Sequence, residues 1–151
     1  MLFRTGKYAE CVEASAKAIG ESEFNETFRL LKLRSEMELG RYADANETLD
    51  AALKKFSSSI ELRWLGRDVA RFNNQPERAT QLKDEIAKLV QQTPWRYSDA
   101  ASRIIVGRFV LNEGADPKRV LDGAYNVVKK SQPTYAPVFV EIGRASCRER
   151  V

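Results

Sequence analysis

The chain has 151 residues, 43% of them hydrophobic and 30% charged, which is the size and composition of one folded domain rather than of a disordered segment. It has no histidine and two cysteines, which removes the commonest general base and metal ligand and leaves too few thiols for a zinc site or a disulfide framework. Its lysines and arginines, which give a net charge of +4, are scattered among acidic residues, as on a solvated surface. No apolar run approaches the roughly 18 residues of a membrane span.

Helices are predicted along the chain, separated by short breaks. Their ranges are 2–5, 8–20, 26–39, 42–56, 60–72, 76–92, 99–113 and 117–130, and another helix begins near Ala136. The polar break at 57–59 supplies serines that can cap a helix N-terminus, and Pro133 lies in a second break at 131–137. Because no strand-like alternation of polar and apolar residues competes with this interpretation, an all-α fold is expected.

One segment near the start of the chain recurs further along it. "TGKYAECVEASAKAI" at 5–19 returns as "LGRYADANETLDAAL" at 39–53. In each copy a glycine can take the left-handed conformation that ends a helix, a tyrosine opens the next helix, and two small residues on one face allow close packing. These residues are Gly6, Tyr8, Cys11 and Ala18 in the first copy, and Gly40, Tyr42, Ala45 and Ala52 in the second. The pattern predicts antiparallel helix pairs with tight turns.

Two further copies are less regular. In the third, at 70–89, Asn73 or Asn74 replaces the glycine, and Ala79 follows Ala45 at the same interval as Ala45 follows Cys11. In the fourth, at 104–130, Gly114 is the turn glycine, and the linker at 91–99 makes the spacing of this copy longer than that of the others. The same helix–turn–helix unit is therefore predicted four times.

The period, about 34 residues, and the Gly-x-Tyr-x-x-small pattern together resemble tetratricopeptide repeats. The resemblance covers about 2–140, as pieces at 2–25, 26–58, 59–93 and 98–132 and the start of another at 135. Ser57 stands in place of the family's usual proline, and of the first-helix pattern only Gly107 fits. The resemblance implies an α-solenoid, a right-handed superhelix of antiparallel helix pairs. Its first helices would line a concave face that binds a protein or peptide, without a cofactor, a metal or catalysis of its own.

Arginines are the candidate binding residues, since guanidinium groups can hold acidic groups or a terminal carboxylate by bidentate hydrogen bonds. The alternative is an ordinary solvated helix face with partners four residues away, such as Glu38 for Arg34. Carboxylate pairs such as Glu10 and Glu13 are interpreted as solvated charge, and no phosphate-binding loop is present. The candidates for the concave face are Arg34, Arg63, Trp64, Arg67, Arg71 and Arg108.

The other conspicuous side chains have structural interpretations. Trp95 and Tyr97 are expected to pin the linker at 91–99 onto neighbouring helices, and Cys11 is expected to be a buried small hydrophobe. RNA binding would need similar side chains at one position of every repeat, whereas the third copy has either Arg67 or Asp68 there. No nucleic-acid partner is therefore expected.

Both ends of the chain bear on its interpretation. The chain opens about one helical turn before Gly6, and "APVFVEIG" resembles the start of a fifth first helix, so the chain is interpreted as a piece of a longer array. Residues 142–151 resemble a translated sequencing adapter, with Glu141 at the junction, and no apolar face is expected from Ile142 onward. The alternative is a natural basic tail that binds an acidic group or a membrane. An alternative function is the docking arm of a larger multidomain enzyme. The compartment stays open, with the cytoplasm slightly favoured.

Overall fold

The computed structural model describes residues 2–149, with side chains as far as Cys147. Met1, Arg150 and Val151 lie outside the described residues. The described part contains helices and turns and no β-strand, which confirms the all-α prediction. Each predicted helix is found to within one residue at either end. The α-helices are α1 (Tyr8–Glu21), α2 (Glu26–Glu38), α3 (Tyr42–Lys55), α4 (Ile60–Phe72), α5 (Pro76–Gln92), α6 (Ala100–Asn112), α7 (Pro117–Val120), α8 (Asn126–Ser131) and α9 (Ala136–Glu149). Two short 3₁₀ helices are Leu2–Thr5 and Pro94–Tyr97.

The predicted helix at 117–130 is interrupted in its middle. Between α7 and α8 the turn Leu121–Tyr125 is π-helical. A wider turn brings residues five apart close to the same face, whereas an α-helix would point them in different directions. Val120 and Tyr125 are five residues apart, and both are buried. The π-helical turn therefore lets both side chains enter one core.

Four turns of the chain share one geometry. The residue with positive φ is Gly6 (75°), Gly40 (71°), Asn74 (54°) and Gly114 (85°). At each turn the following residue donates its N–H to a carbonyl five positions back. These bonds are Lys7 to Leu2, Arg41 to Glu36, Gln75 to Ala70 and Ala115 to Val110. This pattern is the Schellman motif, which satisfies carbonyls at a helix C-terminus.

The third turn settles which asparagine replaces the glycine. Asn74 is the left-handed residue, and the side-chain amide of Asn73 instead donates to the carbonyl oxygens of Tyr42 and Val69. The interval from Gly6 to Gly40 equals the interval from Gly40 to Asn74, and the interval from Asn74 to Gly114 is longer. These four turn residues provide a common register for comparing the helices.

Gly40→Val is expected to lower the free energy of unfolding by about 1–2 kcal/mol, because a β-branched residue is strained at positive φ. There is open space around a Cβ at this position, so the conformation alone accounts for the effect. Urea denaturation followed by circular dichroism measures the change. Gly40→Asn is the matched control and should lose much less, since Asn74 already holds the equivalent position. Equal losses for the two variants would contradict the role of φ.

The described residues form two compact units, one ending at Ile86 and the other beginning at Ala87. In the first unit, α1 packs on α2, α2 on α3 and α3 on α4. Of the small residues predicted to lie between helices, Cys11, Ala45, Ala52 and Ala79 are buried, whereas Ala18 is only partly buried. The core residues are Leu30, Leu33, Ala45, Leu49, Ala52, Leu62, Val69 and Leu82.

The core of the second unit forms around the side chain of Tyr125, which is fully buried. Its core residues are Ile104, Val120, Tyr125, Val128, Val138 and Ala145. The expectation that no apolar face continues from Ile142 is wrong for the described residues, because α9 runs to Glu149. Val138, Ile142 and Ala145 follow one another at helical spacing and pack into the core, a stripe that the surrounding arginines obscure in the sequence.

Candidate functional site

The helices α2, α4 and α6 begin with the same kind of cap. The side chain of Asn25 accepts a hydrogen bond from the backbone N–H of Thr27 at the start of α2. Ser59 does the same for α4 and Asp99 for α6, through the N–H groups of Leu62 and Ser102. These caps and the turn residues delimit three comparable helices. Six positions before the turn residue, the three helices carry Arg34, Asp68 and Arg108.

Arg34 lies on an exposed face of α2 and pairs with a residue of α4. Its Nη2 donates to Oε1 of Glu61 on α4 at a distance of 2.6 Å. Its side chain is 43% exposed. The partner is thus on another helix, and Glu38, the expected partner within α2, is not the one observed. This ion pair joins α2 and α4 on one surface of the first unit.

A stripe of α4 continues this surface. Glu61, Trp64, Asp68 and Arg71 follow one another at intervals of three and four positions, so they share one side of the helix. Arg71 is 64% exposed, and its Nη1 lies 3.9 Å from Oδ1 of Asp68. Trp64 is partly buried. The surface formed by Arg34 and these four residues is named the α2–α4 face.

Arg63 and Arg67, two further candidates from the sequence, are buried and do not belong to this face. Arg63 is buried, and it donates through Nε to Glu85 at 2.7 Å and through Nη1 to the carbonyl of Ser59 at 2.9 Å. Both donors are therefore directed at groups within the first unit. A long arginine side chain can be buried when its guanidinium group has such partners.

Arg67 occupies a core-like position. In the common register it corresponds to Leu33, which is fully buried, and Arg67 itself is only 7% exposed. Its guanidinium carbon lies 3.7 Å from the ring centroid of Trp64, and its Nη2 lies 3.6 Å from the carboxylate of Asp68. The aromatic ring and the carboxylate offset the desolvation of the charge. Arg67 thus supports Trp64 from below the surface.

One recurring residue was missed in the sequence. Four positions after the cap, α2, α4 and α6 each carry an arginine that donates to a backbone carbonyl near the helix start. Arg29 donates to Glu23 at 3.3 Å, Arg63 to Ser59 at 2.9 Å and Arg103 to Ser98 at 2.7 Å. The signal was the repeated spacing from the turn residue. Its role is structural, because these bonds tie each helix to the preceding chain.

In the second unit, Arg108 corresponds to Arg34. Its Nη2 donates to Oε1 of Glu141 at 2.8 Å, and Glu141 also accepts a bond from Arg144 at 2.9 Å. Glu141 is nearly fully buried. Arg108 therefore contributes to an internal ion-pair cluster between α6 and α9, where most of its side chain is shielded from solvent.

The aromatic residues of the linker have different environments. Tyr97 is buried, as expected for a residue that pins the linker, whereas Trp95 is 69% exposed and does not have that role.

Cys11 is buried with its Sγ 4.0 Å from Oγ of Ser15, consistent with a small packing residue.

The chemistry available on the α2–α4 face is that of ion pairing and aromatic contact. In the part of the chain that the structure describes, no group of three or more acidic or cysteine residues is placed to hold a metal ion. Over the same residues, 2–149, no helix combines the length and apolar character needed to cross a membrane.

Comparison of the chain with protein-family models, with curated proteins and with solved structures gave no match.

Proposed function

We propose that this chain is a tetratricopeptide-like α-solenoid that binds a peptide or protein segment along the α2–α4 face and does not catalyse a reaction. Four turns of one geometry, the first three of them equally spaced along the chain, support the repeat. The observation that carries the binding proposal is the combination of a partly exposed Trp64 with two exposed ion pairs beside it, Arg34 with Glu61 and Arg71 with Asp68.

The two ion pairs are suited to exchange with a ligand. Exposed ion pairs contribute about 0–1 kcal/mol to stability, so replacing one partner by a group of the ligand costs the fold little. A ligand carboxylate can take the place of Glu61 on Arg34, and a ligand lysine or arginine can then pair with Glu61 or Asp68. The face carries both signs of charge, which favours a segment with acidic and basic residues rather than a purely acidic one.

Trp64 supplies the apolar part of such a contact. Tryptophan and arginine are the residue types most often found at the energetic centre of protein interfaces. Arg67 is stacked on Trp64, which holds the ring in one orientation before a ligand arrives. A preorganised ring loses less conformational entropy on binding than a mobile one.

The test is a selection of peptides that bind the full chain from a random display library. We expect Arg34→Ala to weaken binding of the selected peptides by at least about fivefold, which corresponds to a loss of roughly 1 kcal/mol, more than most interface residues contribute. Arg119→Ala is the matched control, because Arg119 is 89% exposed and lies outside the face. Binding is measured by fluorescence anisotropy.

Photo-crosslinking of the same peptides locates the contact. Crosslinks to α2 and α4, at Arg34 and Trp64, are the expected result. Crosslinks confined to α1, α3 and α5, or equal binding to the Arg34→Ala and Arg119→Ala variants, would refute the proposal. Circular dichroism melts of both variants verify that each is folded.

A further inference from the structure

The α2–α4 face carries an arginine on each side of Trp64. Arg34 reaches the first turn of α4, where its Nη2 lies 2.6 Å from the carboxylate of Glu61. Arg71 lies in the last turn of the same helix. Trp64 stands between these two levels, three residues after Glu61 and seven before Arg71. The two guanidinium groups therefore bracket the aromatic ring of the face.

The separation of the two guanidinium groups follows from helix geometry. Glu61 and Arg71 are ten residues apart. A helix rises about 1.5 Å per residue, so their α-carbons are about 15 Å apart along the axis. The side chain of Arg71 leans back toward Asp68, whose Oδ1 lies 3.9 Å from Nη1 of Arg71. The two positive charges that a ligand meets are thus about 10–15 Å apart.

Both arginines present part of their surface to a ligand, since both are exposed. The other two arginines of α4, Arg63 and Arg67, are buried. Arg34 and Arg71 are therefore the two cationic anchors of the α2–α4 face. Each is held in an exposed ion pair, which a ligand carboxylate can replace at little cost to the fold.

An extended segment suits this face better than a helix does. An amphipathic helix docks through several apolar anchors at i, i+3, i+4 and i+7, whereas Trp64 is the one apolar member of the face. An extended chain rises about 3.3 Å per residue, and its side chains alternate between two sides. Residues i and i+4 then lie on one side about 13 Å apart, whereas i+2 and i+6 lie about 7 and 20 Å from i. The i, i+4 spacing alone matches the two arginines.

We infer that the α2–α4 face binds an extended segment with acidic residues at i and i+4 and an apolar residue at i+2, which lies over Trp64. Arg34 takes one carboxylate and Arg71 the other, through charge-assisted hydrogen bonds. Glu61 and Asp68 remain beside them and disfavour a segment that is acidic throughout. This inference rests on the proposed function and adds to it the spacing that the ligand must have.

The test uses the full chain and the peptides that it selects from the random display library. Among the selected sequences, acidic pairs at i, i+4 with an apolar residue between them should be enriched over acidic pairs at i, i+3 and i, i+5. In a synthetic peptide with such a pair, the second acidic residue is then exchanged with the residue before or after it, which keeps the composition. Fluorescence anisotropy should show binding weakened about fivefold, the upper end of what one exposed ion pair contributes.

A double-mutant cycle assigns the exchanged residue to its arginine. The exchange should weaken binding to the wild-type chain and to the Arg119→Ala control by the same factor. It should have no further effect in one of the two variants Arg34→Ala and Arg71→Ala, the one that lacks the partner of that residue. Circular dichroism melts verify that each variant is folded.

The inference and the proposed function can fail separately. Peptides that crosslink to α2 and α4 without an enriched i, i+4 acidic pair would overturn the spacing and leave the proposed function standing. The same holds for an exchange that weakens binding equally in all variants, and for enrichment of apolar residues at i, i+3 and i+7, which would assign the face to a helix. Crosslinks confined to α1, α3 and α5, or a library that yields no binding peptide, would overturn both.

Discussion

Gly107→Ala is expected to destabilise the second unit, although alanine is the better helix former. Gly107 is buried in α6, and a Cβ there would lie 2.8 Å from both Cζ and the hydroxyl oxygen of Tyr125. The ring cannot move aside freely, because Tyr125 is fully buried among Val120, Val128 and Val138. Overpacking of this kind costs about 1–3 kcal/mol, which outweighs the roughly 1 kcal/mol that alanine contributes to a helix interior.

The control for this prediction is Gly123→Ala in the same unit. A Cβ at Gly123 would meet no atom within 4 Å, so this substitution should leave stability unchanged or raise it. Urea denaturation gives the two free energies of unfolding, and hydrogen exchange of α6 and α8 locates the loss. A stabilised Gly107→Ala variant would show that the ring of Tyr125 does not occupy the space beside α6.

Ala45→Leu is expected to destabilise the first unit by about 1–3 kcal/mol, because it adds three carbon atoms to a filled core. Ala45 is fully buried, and it lies in one cluster with Leu30, Leu33 and Leu49. The small residue at this position lets α3 approach its neighbours closely. Fluorescence of Trp64 during urea denaturation follows the unfolding of this unit.

Ala51→Leu is the matched control for the second prediction. Ala51 lies on the same helix and is exposed, so its substitution should change stability by no more than about 0.5 kcal/mol. A similar free energy of unfolding for the two variants would mean that Ala45 is not at the close helix contact.

Most of the secondary structure could be predicted because its signals are local. Gly40 and Gly114 end helices by taking positive φ, and Ser59 caps the next helix with its own side chain. The π-helical turn after Val120 could not be predicted, since it depends on burying Val120 and Tyr125 together. The apolar stripe of α9 was missed because Glu141, Gly143 and Arg144 lie between its members in the sequence, and further arginines follow it.

The candidate site could be predicted only in part. Of the candidates from the sequence, Arg34, Trp64 and Arg71 lie on the α2–α4 face. Arg63 and Arg67 are buried instead, because each finds partners that the local sequence does not indicate.

The sequence by itself determined the helices, their turns and the regular interval between the first three turns, because caps, turn residues and helical spacing act within a few positions of the chain. Only the tertiary structure decided which arginines reach the surface. Arg34 pairs with Glu61, 27 residues away, and Arg63 pairs with Glu85, 22 residues away. An arginine side chain is long and flexible, so its exposure depends on the charges and rings that folding brings to it.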